Sequence, residues 1–266
     1  MCQKLGLFEM INLINHKYKY IMQTFEKSGC STLRNLFLEV HFDEFSQPVQ
    51  NEIKKQGNLA FHNVQYNHIS KSENVFTDQA YKNYYKFSIV RNSYERVISM
   101  YFNRVLDVPD FNCLMKSRGP KEDIINRGPL LGITFDQFLL STINNGDHHF
   151  GLQHINENIN TYLYLNEINK TLPSLYENVI KIENSKLFLI KKLTQDRKEH
   201  PKRKIYKINH KLNNYNFKED KLNLNIMKDG VPQKNLMITE ENTQIIKEKY
   251  KKEIDYHNFN YDHLLK

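Results

Sequence analysis

The sequence predicts an α/β fold of the P-loop-like, three-layer kind, with a central, mostly parallel sheet flanked by helices. Two strand–turn–helix units point to it, one beginning at Tyr18 and the other at Tyr84. A third observation joins them: a helical pattern from Phe45 to Lys55 and a strand-like run from Leu59 to Val64 lie between the two units. Strands and helices that alternate along a chain stack as a parallel sheet with helices on its faces.

In the first unit, Tyr20-Ile21-Met22-Gln23-Thr24-Phe25 has the apolar and β-branched content of a buried strand. The small, polar run Glu26-Lys27-Ser28-Gly29-Cys30-Ser31-Thr32 follows, with one glycine at its centre. Leu33, Leu36, Phe37 and Val40 then recur at the i, i+3, i+4, i+7 spacing of one helix face. Ser31 or Thr32 is the expected N-cap, because a hydroxyl there can accept from an unpaired amide. In the second unit, Tyr84-Tyr85-Lys86-Phe87-Ser88-Ile89-Val90 reads as a strand and Arg91-Asn92-Ser93 as a turn. The helix that follows shows Tyr94, Val97, Ile98, Tyr101 and Val105 on one face, with Ser93 as its cap and Arg96 where a capping box would have Glu.

Beyond Val105 the pattern loosens. Residues 106–134 are rich in Pro and Gly and read as a long irregular excursion, of the kind that is usually functional in a compact domain. A helix is expected over Phe135–Leu140, a strand over Asn178–Glu183 and a helix over Ser185–Leu193. Residues 195–235 read as a second irregular stretch, carrying the basic run His200-Pro201-Lys202-Arg203-Lys204. A final helix from Thr239 to Ile254 opens on the start signal Thr239-Glu240-Glu241. No repeat and no Gly- or Ser-rich linker divides the chain. It reads as one domain, 1–266, with 1–17 as an N-terminal extension and the two irregular stretches available to an acceptor.

Composition sets outer bounds. Sixteen Phe and sixteen Tyr supply enough apolar area for a core, which excludes a disordered chain. The formal net charge of +8 fits an anionic partner, but excess surface lysine accounts for it equally well. Cys2, Cys30 and Cys113 form neither a disulfide framework nor a metal spacing, as expected of a reducing compartment. The apolar run Leu5–Ile14 is broken by Glu9 and Asn12 and falls short of the ~20 residues needed to span a bilayer. No signal-peptide cleavage site follows it. The expectation is a cytoplasmic protein without a transmembrane segment.

The chemistry concentrates at the two turns. A helix start presents unpaired amides and about half a positive charge, so the Lys27–Thr32 loop suits a phosphate or sulfate group. Ser28, Ser31 and Thr32 add hydroxyls and Lys27 a mobile cation. The lysine precedes the glycine, so the loop is not the G-x-x-x-x-G-K-[ST] phosphate loop of nucleotide triphosphatases. Arg91 falls just past a strand end, where open α/β sheets bind ligands, and its guanidinium can grip a phosphate with two bonds. Ser99 lies two helical turns further on, off the apolar face.

These residues resemble the carbohydrate sulfotransferases, sulfotransferase family 2. Lys27-Ser28-Gly29-Cys30-Ser31-Thr32 is similar to that family's 5′-phosphosulfate loop. Phe87 to Tyr101 is similar to its 3′-phosphate motif, R-[DN]-P-[FY]-x-R-x-x-S-x-Y, with Arg91 and Ser99 at the matching spacing and Ser93 in place of the proline. Asp147, His149, Phe150 and Gln153 resemble a D-x-H-W-x-P-Q stretch, Lys181 and Glu183 a strand K-x-E, and Tyr256 to Asp262 the closing D-x-x-x-F-x-Y pattern.

The resemblance implies transfer of a sulfonate from 3′-phosphoadenosine 5′-phosphosulfate (PAPS) to a carbohydrate hydroxyl, with adenosine 3′,5′-bisphosphate (PAP) as product and no metal. It implies that Lys27 is catalytic and that Lys27, Ser28, Gly29, Cys30, Ser31, Thr32, Arg91 and Ser99 bind the donor. Arg203, in the basic run Lys202–Lys204, is a candidate to close over the 3′-phosphate or to bind an anionic acceptor, and a plain solvated charge run accounts for it equally well. Cys30 contributes its amide and not its thiol. His62 is the expected general base and His68 the next choice. His68, His149 and Glu183 are candidates for the acceptor site. The implied partner is a glycan, which an anionic one would match in charge, and not a nucleic acid.

Two other readings stay open. A P-loop-like, ATP-dependent kinase would share the first loop but lacks the G-K-[ST] ending. A non-catalytic, basic polyanion-binding protein would share the charge, without any aromatic-interleaved basic stretch to support it. Ser93 in the proline position should alter the rigidity of the turn more than its ligand contacts.

Overall fold

The computed structural model describes residues 11–56, 69–70, 73–101, 135, 138–140, 152–153, 155–199, 227–228, 231–232 and 237–265. In chain order the principal elements are β1 (Ile11–Asn15), β2 (Tyr20–Thr24), α1 (Cys30–Val40), α2 (Gln47–Gln56), β3 (Ile69–Ser70), β4 (Tyr85–Val90), α3 (Ser93–Tyr101), β5 (Thr161–Tyr164), α4 (Ile168–Leu175), α5 (Asn184–Glu199), β6 (Met227–Lys228), β7 (Val231–Pro232), α6 (Glu240–Lys249) and α7 (Lys251–His257). They fall into two compact units. The described residues of Glu9–Arg91 and Gln153–Pro201 make one, and those of Asn92–Leu152 and Lys202–Lys266 the other.

The first unit holds a sheet of five described strands in the order β3-β1-β2-β4-β5. β2, β4 and β5 pair in parallel, in the registers Met22↔Phe87 and Ile89↔Leu163. β1 pairs antiparallel with both β2 and β3, so four of the five strands run one way and the α/β expectation holds. Tyr20 and Met22 of β2, Phe87 and Ile89 of β4, and Leu163 of β5 alternate onto one face, as the period of two dictates. There they join Leu33, Leu36, Phe37 and Val40 of α1, Leu172 of α4, Tyr176, and Leu187 and Ile190 of α5 in one buried cluster. Burying a large aliphatic or aromatic side chain of this kind contributes roughly 1.5–3 kcal/mol. The cluster therefore fixes α1 against β2, the two arms that flank the first turn.

Several sequence expectations need correction here. Residues 11–15 are not part of an extension: Ile11, Asn12, Leu13, Ile14 and Asn15 are all buried and form β1. A short central strand and a short apolar run have the same composition, and only the pairing with β2 tells them apart. Residues 178–183 are not a strand. α4 runs into a wide π-type turn, Tyr176–Ile180, which closes with Lys181 in the left-handed region (φ 56°) and an Ile182 N–H bond to the Tyr176 carbonyl at 3.1 Å. The neighbour of β4 is instead β5, where the side chain of Asn160 accepts from the Lys86 N–H at 2.7 Å and its own N–H donates to the Lys86 carbonyl at 2.7 Å.

The second unit packs α3 with α6 and α7. Tyr94, Val97, Ile98, Met100 and Tyr101 share a core with Phe135, Phe138, Leu139, Ile246, Tyr250 and Ile254. Thr239 caps α6 as expected, its hydroxyl accepting from the Asn242 N–H at 3.1 Å, but the C-terminal helix breaks at Tyr250 into α6 and α7. Residues 195–199 continue α5, and residues 227–228 and 231–232 pair as β6 and β7, so the stretch read as irregular carries structure at both ends. The expected strand at 59–64 and the excursion at 106–134 lie outside the described residues.

Candidate functional site

At the C-terminal end of β2 the chain turns tightly. The Ser28 N–H bonds back to the Phe25 carbonyl at 3.1 Å, and Lys27 (φ 62°) and Gly29 (φ 79°) both take left-handed backbone. Gly29 carries that conformation without the penalty a Cβ would impose, on the order of 1 kcal/mol. It is also the N-cap of α1, with its carbonyl accepting from the Leu33 N–H at 3.0 Å. Ser31 and Thr32 therefore do not cap the helix, as expected from the sequence, but stand exposed on its first turn. The helix starts two or three residues earlier than those caps would place it, because glycine can make the turn itself. No acidic residue lies in that first turn, so nothing on the helix itself offsets the positive end of its dipole.

Two side chains next to the loop are already committed. Glu26 accepts from the Cys30 thiol and from the buried Arg34 guanidinium, both at 3.3 Å. Burial, with Glu26 beside it, pushes the Cys30 pKa up, so the thiol stays protonated. Ser28 is fully buried, and its hydroxyl donates to the side-chain oxygen of Gln153 at 2.8 Å. It supports the loop from below, a different role from the ligand hydroxyl read from the sequence.

Gln153 also reaches the end of β4. Its side-chain oxygen accepts from the Arg91 N–H at 2.7 Å, and its side-chain nitrogen donates to the Arg91 carbonyl at 2.8 Å. Arg91 in turn donates from its guanidinium to the Lys27 carbonyl at 3.1 Å. The parallel pairing of β2 with β4 brings the two turns side by side, and these bonds join them into one polar edge.

Over this sequence, a family model described as Sulfotransferase family matches residues 12–262. The chain belongs to the sulfotransferase family. No curated protein and no solved structure shows a significant match. Membership in the sulfotransferase family carries sulfate transfer to an acceptor as the general activity.

The other candidates of this family member are distributed unevenly. Lys27, Ser28, Gly29, Cys30, Ser31, Thr32 and Arg91 come together at the C-terminal ends of β2 and β4. Ser99 sits on α3 in the second unit, half-buried between Ile98 and Met100. Glu183 lies elsewhere in the first unit: it pairs with Lys17 at 2.5 Å, beside the β1–β2 hairpin turn and at the opposite end of β2 from Lys27. Five residues of strand separate the two places, roughly 16 Å of rise, so the structure does not bring Glu183 to the loop. His62, His68, His149 and Arg203 lie outside the described residues. No group of three or more metal-ligating side chains occurs among the described residues, and no described helix is long and apolar enough to cross a membrane.

In the second unit the start of α3 is held firmly. Asn92, not Ser93, caps it, accepting from the Tyr94 N–H at 3.0 Å while its own side chain donates to the Asn260 carbonyl at 2.7 Å. Ser93, in the position where the motif has proline, is buried and donates to Glu253 at 2.7 Å. Arg96 bonds the same carboxylate at 3.0 and 3.2 Å and stacks on Tyr250, with 4.9 Å to the ring centroid. Sequence reasoning missed Glu253, since one acidic residue in a helical pattern has no distinguishing neighbour. The signal was the proline-to-serine exchange, which places a hydroxyl where it needs a buried acceptor.

Proposed function

We propose that this family member transfers the sulfonate of PAPS to a hydroxyl group, on a carbohydrate acceptor, by in-line displacement. The observation that supports this reading is the bonded edge of Lys27, Arg91 and Gln153, which sets a helix start, whose free amides suit an anion, beside an arginine. The residues fit such a donor chemically. The amides of Gly29 to Thr32 suit the 5′-phosphate, and Lys27 supplies a cation for the oxygen that bridges phosphorus and sulfur. A guanidinium carries five donors in a fork, so Arg91 can hold the Lys27 carbonyl and still face a second phosphate. Ser99 would add a hydroxyl to the 3′-phosphate and Arg203 a further cation.

In the reaction the S–O bond to the phosphate breaks while an S–O bond to the acceptor oxygen forms. The acceptor's proton passes to a base, for which His62 is the first choice and His68 the second; His149 is proposed for the acceptor side. Charge collects on the leaving phosphate oxygen, where Lys27 and the helix start oppose it. The purified chain, incubated with PAPS labelled in its sulfonate and a panel of neutral and anionic glycans, should release PAP and label at least one glycan. The reading fails if neither PAPS nor PAP raises the melting temperature and no PAP is released.

A further inference from the structure

We infer that Gln153 is a positioning residue that sets the two donor-binding turns in register, so that recognition of the 3′-phosphate depends on it. This rests on the proposed donor site. The side chain is 1% exposed, and a single planar amide makes three bonds to two separate turns. Toward Arg91 it behaves as a neighbouring strand would. It accepts from the backbone N–H and donates to the backbone carbonyl of the same residue, so that residue's backbone is fixed on both sides. Toward the first turn it accepts from Ser28, whose own N–H closes that turn on Phe25. The Arg91 guanidinium then completes a ring by donating to the Lys27 carbonyl.

The ring explains several features together. Lys27 adopts left-handed backbone (φ 62°), which in a non-glycine residue needs support from its surroundings; its carbonyl is the acceptor that Arg91 uses. Ser28 is fully buried within a loop of otherwise half-buried or exposed polar residues, because its hydroxyl serves Gln153. No apolar residue of similar volume can replace Gln153. It would leave one buried N–H, one carbonyl and one hydroxyl without partners, whereas the side-chain amide offers an acceptor and a donor in one plane.

The test compares PAP with adenosine 5′-phosphate by titration calorimetry on the full chain, alongside circular dichroism and gel filtration. In the wild type, loss of the 3′-phosphate should weaken binding at least tenfold. In Gln153→Met that ratio should fall to about threefold or less, with Gln153→Glu, which keeps the two accepting bonds, in between. Ser28→Ala should weaken PAP binding several-fold in the wild-type background and have no further effect beside Gln153→Met, since both act on one bond. A Gln153→Met chain that keeps its fold and the full wild-type ratio would overturn the inference and leave the donor reading intact. If Gln153→Met does not fold, Gln153→Glu and Ser28→Ala decide in its place: unchanged ratios in both overturn the inference. Should the wild type bind neither nucleotide, the donor reading itself fails and the inference falls with it.

Discussion

Lys27 and Arg91 carry the reading at the scale of single residues, and they should fail in different ways. Lys27→Ala removes the cation proposed for the leaving oxygen, where charge exists only in the transition state. kcat should fall by about 10²–10³ while the Kd for PAP changes by less than about tenfold. Arg91→Lys keeps the charge and loses the fork, together with the bond to the Lys27 carbonyl. KM for PAPS should rise about tenfold or more, with a smaller change in kcat; initial rates at varied donor concentration separate the two outcomes. Both side chains stood out in the sequence as candidates, the lysine in a strand–loop–helix turn and the arginine just past a strand end. Gln153 was legible only as a letter in a motif. A glutamine's three bonds depend on which strands lie side by side, and no local pattern encodes that.

At the scale of elements, the far ends of β2 and α1 are tied by a buried polar chain. Tyr176 donates to the Tyr20 hydroxyl at 2.9 Å, Tyr20 meets His41 Nε2 at 2.5 Å, and His41 Nδ1 meets Glu44 at 3.0 Å. Glu44 also accepts from Asn15 at 2.8 Å and pairs with Lys186 at 3.0 Å. Burial alone would raise the Glu44 pKa, but its bonds to His41, Lys186 and Asn15 outweigh it and hold the carboxyl at about 2. Burial lowers the pKa of His41, which is therefore neutral in the fold. For His41, whose pKa is depressed, stability is full above 6.5 and declines as the unfolded chain takes up a proton below it. For Glu44 the contribution is full above 4.5 and is lost as pH falls toward 2. Urea unfolding should thus show stability declining in two stages, from pH 6.5 downward and again below 4.5, by on the order of 2 kcal/mol for the second stage. Glu44→Gln should flatten that second stage.

A similar device in the second unit makes a sharper element-scale prediction. Arg96 and Glu253 are 2% and 0% exposed, and Ser93 shares the carboxylate. Glu253→Leu strands a buried guanidinium and should cost about 3 kcal/mol or more in denaturant unfolding, whereas Arg96→Met with Glu253→Leu should recover part of that loss. The elements themselves were mostly readable: β2, α1, α2, β4, α3 and α5 follow from apolar spacing. What escaped has a common cause. β1 and β5 are strands of five and four residues defined by their partners, and the β-branched run Val179-Ile180-Lys181-Ile182 that mimicked a strand is a helix end, terminated by a left-handed lysine. Where partners rather than the local pattern decide the element, periodicity cannot see it.

For the whole molecule, the formal net charge of +8 admits both an enzyme for a small anion and a binder of extended polyanions, and salt separates them. A polyanion holds condensed counterions, and a protein covering six to ten of its charges loses roughly 10³–10⁵ in affinity between 50 and 200 mM salt. A mononucleotide holds no such layer, and the site proposed for it draws on Lys27, Arg91 and backbone amides. PAP affinity should therefore fall by about tenfold or less over the same range, as ordinary screening predicts. Fluorescence-anisotropy titrations of a labelled PAP and of a labelled sulfated oligosaccharide at both salt concentrations would measure it. A shallow slope for PAP beside a steeper one for the oligosaccharide assigns the surplus lysines to the acceptor; two shallow slopes leave them as solubilising surface. A steep slope for PAP itself would mean that the nucleotide is held by diffuse surface charge and not by the ring of bonds around Gln153.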